Sequence, residues 1–119
     1  AISIRVSGEL NIEGGITANG GHGGPADGNN NNGSGGGGSG GTILLVAPHL
    51  ASTGVIRAKG GNGGDAKGSE DAAGGGGGAG RVLLYADTYG MGGSVEPGAS
   101  IMGAYLDPYR LVLVMSILN

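Results

Sequence analysis

The segment from Gly60 to Asp65 is the first candidate for chemistry in the sequence. It reads Gly-Gly-Asn-Gly-Gly-Asp and matches the start of a calcium-binding nonapeptide, in which an apolar residue after the aspartate fills the core. Lys67 occupies that apolar position here, and Pro25 stands where a preceding copy would need the aspartate. Calcium takes six or more oxygen ligands, whereas the matching segment contains a single carboxylate, that of Asp65. We therefore predict no metal site and no cofactor. The candidate calcium ligands are Asp65, Glu70 and Asp71.

The sequence contains no constellation typical of an enzyme. It has no cysteine, which excludes disulfides, thiolate metal sites and cysteine nucleophiles. His22 and His49 have no accompanying serine and carboxylate pattern that would form a triad or a metal site, and we predict that both lie on the surface. Glycine spacings typical of nucleotide-binding loops carry no information in such a glycine-rich chain, and no phosphate-loop Lys-Ser/Thr follows them. We predict that the protein is not an enzyme.

Charge and aromatic content also exclude classes of partner. Charged residues are 13% of the chain, the net charge is −3, and there are four Tyr without Phe or Trp. Neither the positive field nor the stacking surface that nucleic acids require is present. The last apolar stretch, residues 111–118, is shorter than the roughly 20 residues that cross a bilayer. We therefore expect no nucleic-acid partner and no membrane span.

Glycine dominates the composition, with 32 of 119 residues. Content at this level, with proline added, is typical of disordered segments. Dense apolar runs, such as Thr42-Ile-Leu-Leu-Val46 and Arg81-Val-Leu-Leu-Tyr85, argue against disorder because a solvated linker has no need of them. The glycine is therefore interleaved with segments that can form a core.

A degenerate repeat of about forty residues connects the glycine and the apolar runs. Shifting the chain by forty places Val6 on Val46, Leu10 on Leu50 and Ile16 on Ile56. A further copy begins near Arg81 but lacks the glycine-rich part. Self-similarity at such a period is typical of repeat architectures. We predict a single repeat domain over residues 1–119, with modules at about 1–41, 42–80 and 81–109 and a C-terminal strand at 110–119.

Each module is expected to contain a strand, a turn, a second strand and a glycine arm. Residues 2–7 alternate apolar and polar side chains, which is typical of a half-buried strand. The unbroken run Ile43-Leu-Leu-Val46 predicts a strand covered on both faces. Glycine disfavours helix by about 1 kcal/mol relative to alanine. The predicted fold is all-β, a β-solenoid or β-sandwich with glycine-rich polyproline II arms and little or no helix.

The two glycine arms, residues 20–41 and 60–80, allow two readings. Gly-Ser-Asn mixtures form flexible coils, whereas extended glycine segments can also pack backbone to backbone in polyproline II conformation. Because the two arms match in length and position, we favour ordered arms, each with a polar hairpin tip. The residues predicted to pack in the arms are Gly35, Gly36, Gly37, Gly38, Gly75, Gly76, Gly77 and Gly78.

The first arm tip carries a run of asparagines that ends in the tripeptide Asn32-Gly-Ser. This tripeptide is an N-glycosylation sequon, so Asn32 is a candidate glycosylation site if the protein is eukaryotic and secreted. The asparagine run could also bind sugar or ice, or form a solvated turn, and we favour the turn.

The segment Gly54-Val-Ile-Arg-Ala-Lys-Gly-Gly-Asn-Gly-Gly64, an arm, and then Gly-Arg-Val-Leu-Leu-Tyr resemble the glycine-rich repeats of bacterial surface and adhesin-like proteins. Those repeats are commonly parallel β-helices, and the resemblance covers about residues 1–100. The arms are also similar to the polyproline II bundles of some phage tail-tip adhesins. Both resemblances imply an extracellular or cell-surface role, and neither implies a catalytic residue.

The C-terminal strand predicts self-association. An uncovered strand that is apolar on both faces aggregates unless it has a partner, and repeat architectures need end caps or neighbours. We expect the protein to be a structural subunit of an extracellular fibre or surface assembly whose partner is itself. The alternatives are a tip adhesin module that binds a surface glycan or a receptor, and an ice-binding protein. The predicted assembly residues are Leu111, Val112, Leu113, Val114, Met115, Ile117 and Leu118.

Overall fold

Ten short β-strands and no helix make up the part of the chain that the structure describes. The structure is a computed structural model that describes the backbone of residues 1–28 and 32–103 and the side chains of all of these except 101–103. The prediction of an all-β chain is confirmed for these residues, and none of their segments is a helix that could span a membrane. The strands are β1 (Ile2–Arg5), β2 (Glu9–Ile12), β3 (Gly15–Thr17), β4 (Thr42–Val46), β5 (His49–Ser52), β6 (Val55–Arg57), β7 (Arg81–Tyr85), β8 (Thr88–Met91), β9 (Ser94–Glu96) and β10 (Ser100–Gly103).

The strands form three parallel sheets. One sheet has four strands in the order β1-β4-β7-β10, and the others have the orders β2-β5-β8 and β3-β6-β9. Every third strand therefore pairs with its equivalent, and all these pairs are parallel. Parallel neighbours need a long crossover, which here consists of two further strands and, twice, a glycine arm.

The strand register agrees with the forty-residue shift in two sheets and differs in the third. Leu10 pairs with Leu50 and Ile16 with Ile56, as the alignment places them. Val46, in contrast, pairs with Arg5 and not with Val6. A one-residue slip exchanges the two faces of a strand, and the slip keeps the alternating side chains of β1 aligned with the inward residues of β4.

The core lies between the sheets and is built mainly from alternate side chains of β4, β5, β6 and β7. Ile43, Leu45 and Ile56 are 0% exposed, and Val82 and Leu84 are 1% exposed. Half-buried residues of the first strands, including Ile2 and Ile4, pack against this cluster. Since each strand is only three to five residues long, stability depends on stacking equivalent strands.

Each module contains three strands before its connection, so the predicted pattern of two strands per module is wrong. The missed strands, β3, β6 and β9, have three residues each, which is too short for a period of two to be recognised. The corner before them is marked by glycine. A Cβ at Gly54 would collide with the carbonyl oxygen of Gly14, and a Cβ at Gly93 with that of Gly54, so only glycine allows the corners to stack.

The outer face of the four-stranded sheet differs from the prediction for β4. Leu44 and Leu83 are paired neighbours that point away from the core and are half-buried, while Ile43 and Leu45 are fully buried. Val46, which lines the same outer groove as Leu44, is 8% exposed. The apolar run was predicted to be covered on both sides, and among the described residues its outer side is covered only in part.

Replacing Leu45 with alanine tests the position of the core. We expect Leu45→Ala to lower the free energy of unfolding by about 2–5 kcal/mol because it leaves a cavity. Leu44→Ala is the matched control and should cost clearly less, since its side chain is half-exposed. Urea unfolding followed by circular dichroism measures both, and equal losses would contradict the assignment of the two faces.

Candidate functional site

The two glycine connections run out and back as four extended legs. We call residues 18–26 leg 1, residues 34–41 leg 2, residues 58–65 leg 3 and residues 72–80 leg 4. Legs 1 and 3 follow β3 and β6, and legs 2 and 4 lead into β4 and β7. Odd legs therefore run away from the sheets and even legs run toward them.

Main-chain hydrogen bonds connect the legs in two directions. Leg 2 donates to leg 1 in antiparallel fashion, from Gly35 to Gly24 and from Gly38 to Gly21. Leg 4 donates to leg 3 in the same way, and leg 3 donates to leg 2. Parallel bonds complete the network, since leg 1 donates to leg 3 and leg 2 to leg 4. These bonds have donor–acceptor distances of 2.7–3.1 Å, which is ordinary hydrogen-bond geometry.

The bonds and the burial both recur every third residue. Donors to leg 3 in leg 1 are Gly20, Gly23 and Ala26, and donors to leg 4 in leg 2 are Ser34, Gly37 and Gly40. Within residues 19–26 and 34–40, the same six residues are the less exposed ones. Three residues per turn is the period of the polyproline II helix, which has no internal hydrogen bonds and so leaves every amide for its neighbours.

Side chains are excluded where the legs meet. A Cβ at Gly37 would collide with the carbonyl oxygen of Gly61, and a Cβ at Gly77 with that of Gly38. At Gly36 and Gly76 a Cβ would only touch a neighbouring carbonyl oxygen, at 3.7 and 3.8 Å, and at Gly75 and Gly78 it would meet nothing within 4 Å. The glycines predicted to pack therefore all lie in the legs. Whether each one contacts a neighbouring leg depends on its position within the three-residue period.

The arm tips bring together the candidate calcium ligands and the sequon. The Asp71 carboxylate accepts hydrogen bonds from the amides of Gly68 and Asn32, at 2.8 and 3.3 Å. The Asn32 side chain donates to Asp27. Glu70 is exposed, and the carbonyl oxygen of Asp65 accepts from the Ser34 hydroxyl. Among the described residues no three His, Cys, Asp or Glu side chains are grouped to hold a metal ion, and Asp71 instead joins the two tips.

Two polar side chains of leg 1 bind the backbone of leg 3. The Asn19 side chain accepts from the amide of Lys59, and Nδ1 of His22 accepts from the amide of Asn62, both at 2.9 Å. His49 is exposed and forms a 2.7 Å hydrogen bond with the Thr88 hydroxyl on the neighbouring strand. Sequence reasoning assigned no role to Asn19, although its position one residue before the first arm glycine could have indicated one.

An ion-pair cluster lies where leg 3 begins. Glu96 is paired with Arg57 at 2.8 Å and with Lys59 at 3.1 Å. The hydrogen bond from Lys59, assisted by the charges of Lys59 and Arg57, lowers the pKa of the Glu96 carboxyl against the opposing effect of desolvation. All three side chains are more than a third exposed, so solvent screens their interaction.

An apolar groove of about 300 Å³ crosses the outer face of the four-stranded sheet. Its walls are Leu44, Val46, Leu83 and Tyr85, with Arg5 at one side. The predicted assembly residues, Leu111 to Leu118, lie outside the described residues.

A scan against protein-family models and searches of curated proteins and of solved structures each found no match to the chain.

Alanine substitutions at two adjacent glycines of leg 4 test whether the legs are packed against one another. We expect Gly77→Ala to destabilise the protein by about 1–3 kcal/mol, as overpacking does, because its Cβ would collide with the Gly38 carbonyl. Gly78→Ala, where nothing is within 4 Å, should be neutral or stabilise by up to about 1 kcal/mol, since alanine restricts the unfolded chain. Urea unfolding of both variants decides this, and equal effects would show that the legs are not packed.

Acid should weaken the Glu96 cluster. Because the folded-state pKa is lowered, the stabilisation is present above the unfolded pKa of about 4.3 and is lost as the pH falls through the folded value. We expect Glu96→Gln to be less stable than the parent at pH 7 and to lose less stability between pH 5 and pH 3. Thermal unfolding across this range measures both proteins, and parallel pH profiles would contradict the assignment.

Proposed function

We propose that the protein is a structural subunit of an extracellular fibre or surface assembly that self-associates through its apolar strands and its glycine legs. In this proposal the chain is a β-solenoid with polyproline II arms, and each turn consists of three strands. Parallel pairing of β1, β4 and β7 in one sheet, and of their equivalents in the other two, supports that architecture.

The single observation that carries the proposal is that the stacked sheets have open ends. β1, β2 and β3 each have one paired neighbour, and so do β8, β9 and β10 among the described residues. Unpaired edges of parallel strands are templates for another chain, and a stack of this kind needs polar caps or neighbours. The half-buried Leu44 and Leu83 add an apolar face next to these edges.

The chemistry of the described residues supports a structural role over a catalytic one. The side-chain contacts at the arm tips and in the Glu96 cluster both connect successive turns of the chain. The His22 and His49 rings each bind the adjacent turn. These contacts are what a structural repeat requires, and the hydroxyl that lies beside an imidazole, Thr88 beside His49, is on the exposed surface.

The C-terminal apolar segment supplies the test of this function. Residues 111–118 are apolar except for Ser116 and carry no charge. We expect deletion of residues 111–119 to abolish ordered assembly of the purified protein, as measured by light scattering and negative-stain electron microscopy. A second variant, Leu111→Lys with Leu113→Lys, should have the same effect without shortening the chain.

The matched control is Ala66→Lys with Ser69→Lys, which adds the same charge at exposed arm-tip positions and should assemble like the parent. Unchanged assembly after deletion, in a protein with the parent's circular dichroism spectrum, would contradict the role of the C-terminal strand. A defined small particle that binds glycan and never polymerises would contradict the fibre and favour the tip-adhesin alternative.

A further inference from the structure

The third turn of the chain connects to the fourth without a glycine arm. The connections from β3 to β4 and from β6 to β7 each contain two legs, whereas only residues 97–99 connect β9 to β10. The glycine bundle therefore stops at leg 4 while the four-stranded sheet continues through β10. An open groove of about 520 Å³ marks this step, between Gly77 and Ala79 on one side and Val95 to Gly98 on the other.

Leg 4 has two of its three sides occupied. A Cβ at Gly74 or Gly77 would meet leg 2, and one at Gly76 would touch Gly61 of leg 3. The third side carries Gly75 and Gly78, where a Cβ would meet nothing within 4 Å. The amides of Gly76 and Ala79 form no hydrogen bond with any other described residue. We call this side the leg 4 edge.

Leg 1 has a matching open side at the other end of the bundle. A Cβ at Gly20 or Gly23 would meet leg 2, whereas one at Gly21 or Gly24 would meet nothing within 4 Å. The carbonyl oxygens of Asn19 and His22 accept no hydrogen bond from the described residues. We call this side the leg 1 edge.

The free amides of the leg 4 edge and the free carbonyl oxygens of the leg 1 edge have the arrangement seen in the parallel leg pairs within the fold. In the pair of legs 2 and 4, the donor leg uses Gly37 and Gly40, and the receiving carbonyls belong to Gly75 and Gly78. On the donor leg, Gly36 lies just before the donor Gly37, and a Cβ there would face the Gly75 carbonyl oxygen at 3.7 Å. Gly75 and Gly78 likewise lie just before the unused donors Gly76 and Ala79.

The acceptor leg shows the corresponding relation. In the pair of legs 1 and 3, Lys59 and Asn62 accept, and the residues two places later, Gly61 and Gly64, face leg 1. On the leg 1 edge, Gly21 and Gly24 stand two places after the unused carbonyls of Asn19 and His22. An amide row and a carbonyl row with the same three-residue spacing are therefore both free, on opposite sides of one molecule.

We propose that the leg 4 edge of one copy binds the leg 1 edge of a second copy through parallel backbone hydrogen bonds. This proposal rests on the proposed function and names its glycine-leg contact. Each of the four legs contains several glycines, whereas residues 104–119 include none. The occupant is a second copy because that copy presents the complementary row.

The direction of the legs makes the contact sterically compatible with the sheets. Leg 4 runs toward its own strands and leg 1 runs away from its own strands. When the two legs are parallel, the strands of the two copies lie at opposite ends of the shared bundle, and β7 to β10 do not obstruct the second copy. The contact joins two different edges, so each bound copy presents a free edge to the next, which generates an open filament.

Blocking each edge separately tests this pairing. Gly75→Leu with Gly78→Leu blocks the leg 4 edge, and Gly21→Leu with Gly24→Leu blocks the leg 1 edge; at all four sites an added Cβ meets nothing within 4 Å among the described residues. Each blocked protein should fail to form filaments alone. A 1:1 mixture should form a discrete dimer, because each protein retains one functional edge, and sedimentation velocity should show at least a tenfold loss of larger species relative to the parent.

The control is Gly8→Leu with Gly33→Leu, two sites where a Cβ also meets nothing within 4 Å but which lie on neither edge. It should assemble like the parent. Filaments from either blocked protein, or homodimers of the protein blocked only at the leg 1 edge, would overturn the edge pairing while leaving self-assembly intact. A parent that stays monomeric would overturn the proposed function as well.

A second measurement remains decisive if a leucine variant fails to fold. The chain has no cysteine, so Gly78→Cys and Gly21→Cys proteins can be mixed and oxidised. A disulfide between the two different proteins at several times the yield of either homodimer supports the pairing. Equal yields of all three products, or none, would overturn it.

Discussion

The backbone contact between glycine legs is the constraint on which the rest of the molecule depends. Where two legs meet, an added Cβ would collide with a carbonyl oxygen of the neighbour, as at Gly37 and Gly77. The absence of side chains allows each leg to bind up to three others by main-chain hydrogen bonds. Glycine loses more backbone entropy on ordering than any other residue, and this network offsets part of that cost by pairing amides of each leg with carbonyl oxygens of its neighbours.

The legs and the sheets share one spacing and so support each other. Equivalent strands and equivalent legs are separated by one turn of the chain, and a shift in one would break the register of the other. The Glu96 ion pairs, the Asn19 and His22 bonds to leg 3, and the Asp71 bonds at the tips all join neighbouring turns. These side-chain contacts fix the register between neighbouring turns. They occur at the few positions where the legs and strands leave space for a side chain.

Part of this structure could be predicted from sequence and part could not. The apolar runs predicted β4 and β7, and the forty-residue shift placed Leu10 beside Leu50, because packing side chains leave a readable period. The third strand of each turn was missed because three residues are too few for a pattern. Glycine composition alone also left flexible and ordered arms equally open, since the positions that tolerate a side chain, such as Gly78, and those that do not, such as Gly77, differ only in their neighbours.

Amide hydrogen exchange along leg 2 tests the central claim most directly. Gly35 and Gly38 donate to leg 1 and Gly37 donates to leg 4, whereas the amides of Gly36 and Ser39 donate to no described residue. We expect slow exchange at the first three amides and fast exchange at Gly36 and Ser39, resolved by two-dimensional NMR. Uniformly fast exchange with random-coil chemical shifts across residues 34–41 would contradict the account.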